Sequence, residues 1–313
     1  MSPVAVESKK IENKRSWLRL SWRSLWRTYL RNWKLLYLLF FLMIEIDRKH
    51  SRHKLLFLTI WIACCLILVL YAFTLQLARD AVIRRALEGK YEASLQLNKR
   101  MLRFPSFGGS VEGWVLLEAG RYNEAEAATK PLAFDQHDNP RLMSWQLYYY
   151  AMALSHQGKG EEAYYLLGYT LQLKPRIGRF HLGLADCLLE HNRDPENARF
   201  MLDRILANWQ EPSRPFRKRA RQALHRARYA WALARCSRRD EAVSQLLQAS
   251  SGSPEFIGRD QAWLRYYAGE TWRALGDSGK AQVAFEEARA LHPYGQVQRR
   301  TQKELSKLGV CRE

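Results

Sequence analysis

Hydrophobic and polar positions along the chain follow three different patterns. Residues 55–78, LLFLTIWIACCLILVLYAFTLQLA, contain no charged side chain. As a helix, this run would rise about 36 Å at 1.5 Å per residue, which exceeds the roughly 30 Å hydrocarbon core of a bilayer. The run is too long, and begins too far along the chain, for the apolar part of a signal peptide. The pattern therefore predicts a transmembrane helix at 55–78.

The preceding residues, 1–54, form a basic segment with an amphipathic stretch. From residue 22 onward, tryptophans, leucines and a tyrosine share one helical face, and basic side chains flank it. This arrangement is typical of a helix that lies at a membrane surface and extends its basic side chains to anionic lipid headgroups. Residues 35–44 are apolar but too few to cross a bilayer, so we expect them at the interface or beside the main helix. The predicted anchoring residues are Trp22, Arg23, Trp26, Arg27, Arg31 and Trp33.

Charges on the two sides of the apolar run predict its orientation. Four lysines and arginines and two histidines lie within residues 48–54, whereas three arginines and two acidic residues follow within residues 79–88. By the positive-inside rule, the amino-terminal side is cytoplasmic. We therefore expect a single-pass protein of a bacterial inner membrane, with residues 79–313 outside the cytoplasm. Reversed topology on an organelle, with these residues in the cytosol, is an alternative.

Beyond the apolar run, the sequence repeats itself. A small-residue turn followed by an alanine near the start of an amphipathic helix occurs in GRYNEAEAA (120–128), GKGEEAYYLL (158–167), SRRDEAVSQLL (237–247) and GDSGKAQVAF (276–285). A further copy, NRDPENA, needs one extra residue in its turn. Each turn is preceded by another helix with a small residue at a fixed distance, at Gly113, Ala151, Ala230 and Gly269.

This pattern resembles the tetratricopeptide repeat, a helix–turn–helix unit of 34 residues. The resemblance implies an all-α fold, with a single transmembrane helix followed by a right-handed α-solenoid of stacked tetratricopeptide units. The polar residues 296–308 are expected to form a C-terminal capping helix that solvates the end of the stack. The best copy spans 262–295 and places at the family's small or bulky positions Gly269, Trp272, Gly276, Ala281, Phe285, Ala288 and Pro293.

The resemblance also implies a binding groove, because fixed positions on the first helix of each unit face the concave surface in this family. Aromatic and arginine side chains dominate binding hot spots. For each tryptophan in this set, packing between units is an equal alternative. The Lys and Asn set with which some family members hold a C-terminal carboxylate is absent. The predicted groove residues are Trp114, Trp145, Tyr148, Met152, Arg179, Asp186, Glu190, Trp231, Arg235, Trp263, Tyr266, Glu270 and Arg273.

The charge of the chain adds a second candidate surface. The chain has 50 Lys and Arg against 31 Asp and Glu, a net charge of +19 that favours anionic partners. Within 213–228, five basic residues are spaced 4-3-4-3, which puts them on one helix face. This face is either an ordinary solvated surface or a patch for an anionic partner or lipid headgroups. The predicted patch contains Arg214, Lys218, Arg221, His225 and Arg228.

Nothing in the sequence indicates an enzyme. Phosphate-binding glycine loops, zinc-protease motifs and nucleophile elbows are absent, and the five cysteines form no C-x-x-C pair. We therefore expect no cofactor, no metal and no small-molecule substrate. The leading hypothesis is a membrane-anchored scaffold or adaptor for protein partners in envelope assembly, secretion or quality control. The alternative is a nucleic-acid-binding or cytosolic regulatory protein that uses the basic segment, although the wide apolar face after residue 22 disfavours nucleic acid.

Overall fold

The computed structural model describes residues 54–101, 105–134, 140–207, 215–251 and 258–309, and these residues form thirteen α-helices. Contacts divide the chain into two compact units. One unit runs to Arg84 and includes Gln96–Arg103, and the other comprises Arg85–Leu95 and Phe104–Glu313. The helices are α1 (Lys54–Leu87), α2 (Tyr91–Met101), α3 (Pro105–Glu118), α4 (Tyr122–Phe134), α5 (Pro140–His156), α6 (Gly160–Leu173), α7 (Gly178–Glu190), α8 (Pro195–Ala207), α9 (Pro215–Arg235), α10 (Arg239–Ser250), α11 (Gly258–Ala274), α12 (Ser278–Leu291) and α13 (Gly295–Lys307).

Helix α1 contains the uncharged run and is 34 residues long. Counted over the described residues alone, no helix combines the length and the apolarity needed to cross a membrane. The predicted membrane-surface segment, from Trp22 to Trp33, lies outside the described residues. Large apolar side chains of α1 that are exposed in the first unit are Ile62, Leu66, Ile67, Leu70, Tyr71 and Leu77.

The second unit is built from helix pairs. Within its described part, α3–α4, α5–α6, α7–α8, α9–α10 and α11–α12 each pack as a pair, and each first helix also packs against the first helix of the next pair. Bulky side chains fill the space between pairs: Trp272 packs against a buried cluster of Ala230, Leu246, Ala268 and Ala284. The predicted all-α, tetratricopeptide-like solenoid is therefore confirmed for this unit.

Small residues mark the closest approach of the two helices in each pair. A Cβ atom added to Gly269 on α11 would lie 2.5 Å from Cε1 of Phe285 on α12, and one added to Gly113 on α3 would overlap Thr129 on α4. A larger side chain at either position would push the two helices apart. The matching alanines of the other pairs are all fully buried: Ala151 and Ala163, Ala185 and Ala198, and Ala230 and Ala242.

Each pair is joined by a turn with one residue in the left-handed region. The residue is glycine in three turns, but Asn192 (φ 51°) and Ser237 (φ 60°) hold the same place in the other two. In every turn the next backbone N–H donates to the carbonyl five residues earlier, as Arg193 does to Leu188. This bond closes the end of the first helix. The three glycines are Gly120, Gly158 and Gly276.

The last helix, α13, does more than cover the end of the stack. It packs against α12, as expected of a cap, and it also contacts α11 and α3. Its inward side chains include polar residues: Thr301 and Glu304 are buried along with Val297 and Leu305. The solvated cap expected from the sequence therefore corresponds only to the outer face of this helix, whereas its inner face is buried.

Candidate partner-binding groove

The first helices α3, α5, α7, α9 and α11 line one surface of the repeat unit, which we call the groove. Its two ends are joined directly. Arg259, at the start of α11, donates from Nη2 to both carboxylate oxygens of Glu118 at 2.6 Å, and from Nε to Oε2 at 3.2 Å. Glu118 is the last residue of α3, 141 positions earlier. Because both side chains are largely buried, this charge-assisted pair fixes the first repeat against the last.

Helix α13 lies across the groove and inserts an arginine into it. Nη2 of Arg300 lies 2.5 Å from Oε1 of Glu190, the last residue of α7. The Arg300 guanidinium carbon is 4.6 Å from the ring centroid of Tyr266 and 5.3 Å from that of Trp263 on α11. Arg300 Nε also donates to the Tyr266 hydroxyl at 3.2 Å. The guanidinium thus has a carboxylate and two aromatic rings as partners, a combination that favours arginine over lysine.

A polar chain connects Glu190 back to α13. Oε2 of Glu190 lies 3.3 Å from Nδ1 of His156 on α5, and Nε2 of His156 lies 2.6 Å from Nε2 of Gln296 on α13. With the proton on Nδ1, the imidazole donates to Glu190 and accepts from Gln296. Burial alone would raise the pKa of Glu190, but Arg300 and His156 outweigh it and lower the pKa to about 2.

A second ion-pair group ties the far end of α13 to α11. Arg273 Nη2 donates to Glu270 at 2.6 Å, and Arg273 Nε lies 3.5 Å from a Glu304 carboxylate oxygen. Glu304 also accepts from Lys307 at 2.7 Å. Burial raises the pKa of Glu270, and Arg273 opposes that shift. The groove residue Arg273 is therefore engaged within the chain.

Most of the predicted aromatic groove residues are covered. Trp231 is 1% exposed, Tyr266 3%, Trp263 6% and Tyr148 8%. These side chains pack between repeat units, and little of their surface is open to a partner. Trp145 and Trp114 keep part of their surface exposed. The Trp145 ring lies 4.9 Å from that of Phe180 and 5.8 Å from that of Tyr149, measured between centroids.

Arg179 differs from the other groove arginines. It is exposed, and within the described part of the chain it forms no ion pair or hydrogen bond. Its surroundings still act on its charge: desolvation lowers the pKa of Arg179, but Tyr149, Tyr148 and Glu118 outweigh that effect and raise the pKa. By contrast, Arg235 donates to Asn192 Oδ1 at 3.2 Å and to the Leu189 carbonyl at 3.5 Å. Arg179 adjoins Phe180, which packs on Trp145. Arg179 at the start of α7 is therefore linked through Phe180 to Trp145 on α5, which also keeps part of its surface exposed.

The basic stripe of α9 is not a continuous exposed surface. Arg228 Nε donates to both carboxylate oxygens of Asp186, at 3.0 and 3.1 Å, and its guanidinium lies 4.5 Å from the Tyr267 ring centroid. The Arg228 guanidinium therefore meets α7 and α11 instead of standing in an open surface patch, and His225 is buried. Arg221 is exposed as predicted. Arg214 and the side chain of Lys218 lie outside the described residues.

Sequence reasoning missed Glu118, Arg259 and Arg300. None of them occupies a family groove position, and their ion-pair partners are more than one hundred residues away along the chain. Among the residues that the structure describes, no group of three or more His, Cys, Asp or Glu side chains could hold a metal ion.

No protein-family model and no curated protein matches the chain. Three similar solved structures are PlcR of Bacillus thuringiensis in complex with the peptide PapR7 and DNA, BtubC (BKLC) from P. vanneervenii, and YrrB, a TPR protein with an unusual peptide-binding site. PlcR has 17% identity over 65% of this chain and 73% of that chain, with a TM-score of 0.48. BtubC has 16% identity over 70% and 91%, with a TM-score of 0.42, and YrrB 19% over 68% and 97%, with a TM-score of 0.36. Likeness at this level carries no argument about function.

The repeat character of the chain follows from its own geometry. Five helix pairs share a buried small residue at the point of closest approach, a left-handed turn and side-by-side first helices. The second unit is therefore a tetratricopeptide-like helical repeat, as the sequence pattern predicts.

Proposed function

We propose that this chain is a membrane-anchored scaffold whose repeats bind a protein partner beside Arg179 and Trp145. One observation carries the proposal: Arg179 is an exposed groove arginine with no ion pair among the described residues, and its sequence neighbour Phe180 packs on the partly exposed Trp145. Arginine and tryptophan are the residue types that most often contribute strongly to protein interfaces.

The chemistry of this surface favours a partner that carries a carboxylate. A hydrogen bond to a charged group contributes about 1.5–3 kcal/mol. On the first helices α9 and α11, Arg228, Arg259 and Arg273 already have carboxylate partners within the chain. Arg179 is left to pair with an acidic side chain of a partner, while Trp145 provides apolar contact area next to it.

Membrane anchoring is the second part of the proposal. It is supported by the uncharged run at 55–78 and by the exposed apolar side chains of α1, such as Leu66, Ile67 and Leu70. The basic segment with Trp22, Arg23, Trp26, Arg27, Arg31 and Trp33 would bind anionic headgroups on the cytoplasmic side. The repeats would then face out of the cytoplasm, in envelope assembly, secretion or quality control.

Quantitative co-capture in mild detergent tests the partner site. Arg179→Ala and Trp145→Ala should each lower the amount of co-captured protein, by about tenfold for a hot-spot residue. Arg176→Ala is the matched control, because Arg176 is also exposed, lies three positions away and removes the same charge. If Arg176→Ala and Arg179→Ala change the captured proteins equally, the site is not at Arg179.

Membrane association needs its own experiment. The protein should stay with membranes after an alkaline wash, and a reporter fused after Glu313 should be accessible only from outside the cytoplasm. A protein released by the wash would contradict the anchor. A reporter read in the cytoplasm would contradict the orientation. Steeply salt-dependent binding to nucleic acid would instead favour the alternative function.

A further inference from the structure

The inward face of α13 includes polar side chains that a solvated cap would leave in water. Gln296, Arg300 and Glu304 are spaced four apart, so they lie on one side of the helix. Gln296 meets His156, Arg300 meets Glu190, and Glu304 meets Arg273. Other polar side chains of α13, such as Lys303, point to solvent. The burial is therefore selective, as in a helix that is recognised by a surface.

The pocket that receives Arg300 belongs entirely to the repeats. His156 comes from α5, Glu190 from α7, and Trp263 and Tyr266 from α11. Other contacts among the repeat residues position the pocket, since Tyr266 also donates to Glu270. Helix α13 supplies only the guanidinium that fills the pocket. The site is thus complete without α13 and recognises an arginine presented from a helix.

We propose that this pocket is a binding site for an arginine-bearing amphipathic helix of a partner, and that α13 occupies the site in the partner's absence. The partner helix would carry a hydrogen-bonding side chain, an arginine and a carboxylate at four-residue intervals. It would also carry small or aliphatic residues at the positions of Val297, Thr301 and Leu305. Glu190 lies at the opposite end of α7 from Arg179, about 16 Å away along the helix. This site therefore stands independently of the partner surface at Arg179.

Tethering gives α13 an advantage over any free helix. Only residues 292–294 separate it from α12, and a short tether gives an effective concentration in the millimolar range. A free helix at micromolar concentration with equal intrinsic affinity competes at roughly a thousandfold disadvantage. The site therefore opens to a partner that binds more tightly, or to any matching helix once α13 is weakened.

The test uses the full chain and a fluorescent peptide with the sequence of residues 293–309, followed by fluorescence anisotropy. Arg300→Ala in the protein weakens α13 and frees the pocket, so the peptide should bind at least about tenfold more tightly than to the unchanged protein. Adding Glu190→Gln to that variant removes the carboxylate of the pocket and should lower the affinity for the peptide at least about tenfold. The two substitutions thus move the affinity in opposite directions.

The peptide itself supplies the matched control. A peptide with Arg300→Ala should lose binding to the freed pocket, whereas one with Lys303→Ala, which removes an exposed charge, should keep it. Equal losses would show general attraction to basic peptides and overturn the proposal. Equal peptide binding to the unchanged and Arg300→Ala proteins would overturn it as well. If circular dichroism shows that Arg300→Ala unfolds the chain, Gln296→Ala weakens α13 more gently and carries the same expectations.

Discussion

Replacing Gly269 by alanine places one methyl group at the tightest point between α11 and α12. An added Cβ would lie 2.5, 2.6 and 2.9 Å from Cε1, Cδ1 and Cζ of Phe285. Ordinary contacts at such positions are 3.4–4 Å, so the ring must move by about 1 Å. Phe285 is fully buried and its ring lies 5.8 Å from that of Tyr266. The displacement therefore reaches the groove.

Two opposing effects set the size of the change. Inserting a methyl group into a packed core costs about 1–3 kcal/mol. Alanine in place of glycine within a helix contributes about 0.5–1 kcal/mol of stability. We expect Gly269→Ala to lower the free energy of unfolding by about 1 kcal/mol. Gly168→Ala in α6 is the matched control, because no atom lies within 4 Å of the added Cβ. It should raise the free energy of unfolding by about 0.5–1 kcal/mol.

Urea unfolding of the full chain, followed by circular dichroism, measures both variants under one set of conditions. The difference between them isolates the packing cost, since the helix propensity change is the same. A Phe285→Leu substitution combined with Gly269→Ala should recover part of the loss by making room for the methyl group. If the Gly269→Ala and Gly168→Ala variants are equally stable, the close approach of α11 and α12 is not the reason for the small residue at position 269.

Three further predictions concern a turn and the ion pairs. Ser237→Gly should raise the free energy of unfolding by about 0.5–1 kcal/mol, and with it the thermal midpoint, because glycine adopts positive φ without strain. An unchanged midpoint would contradict the turn assignment. Glu118→Gln should cost about 3 kcal/mol in urea unfolding, because it leaves the buried Arg259 with only its longer 3.4 Å pair to Asp260. A change below about 1 kcal/mol would refute the coupling of the two ends. The lowered pKa of Glu190 stabilises the fold above about pH 4.5, and this contribution is lost as pH falls toward 2. Glu190→Gln should remove that part of the acid dependence, and an unchanged profile would exclude Glu190 as its source.

The helix pairs could be predicted because their signal is local and repeated. A turn, an alanine five residues after the left-handed residue and a small residue on the preceding helix recur several times, and each repeat must satisfy the same packing. Even the extra residue of NRDPENA was predicted correctly, since Asn192 lies six residues before Ala198 rather than five. The repetition made each individual match more reliable than it would be alone.

The groove could be predicted only in part, because its chemistry depends on distant contacts. Family positions identified Glu190 and Arg179 as groove residues, but they did not indicate that Arg300 fills the pocket at Glu190. The sequence of a polar helix with many charges predicts a solvated helix. No feature of the neighbouring sequence distinguishes Arg300 from the exposed Lys303. For the same reason, the 4-3-4-3 spacing of α9 did not indicate which of its basic side chains are exposed. Its spacing showed that Arg228 shares a face with other basic residues, but not that Asp186 lies opposite.

The position of α13 has a consequence for how the protein reaches its final state during synthesis. The helices that line the groove emerge from the ribosome before α13, which ends at Lys307. Until residues 295–307 are made, Glu190 lacks Arg300 and the rings of Trp263 and Tyr266 lack their cation. A chain that stops early therefore displays the pocket of a finished protein without its occupant. Docking of α13, rather than formation of the repeats, is the step that covers this surface.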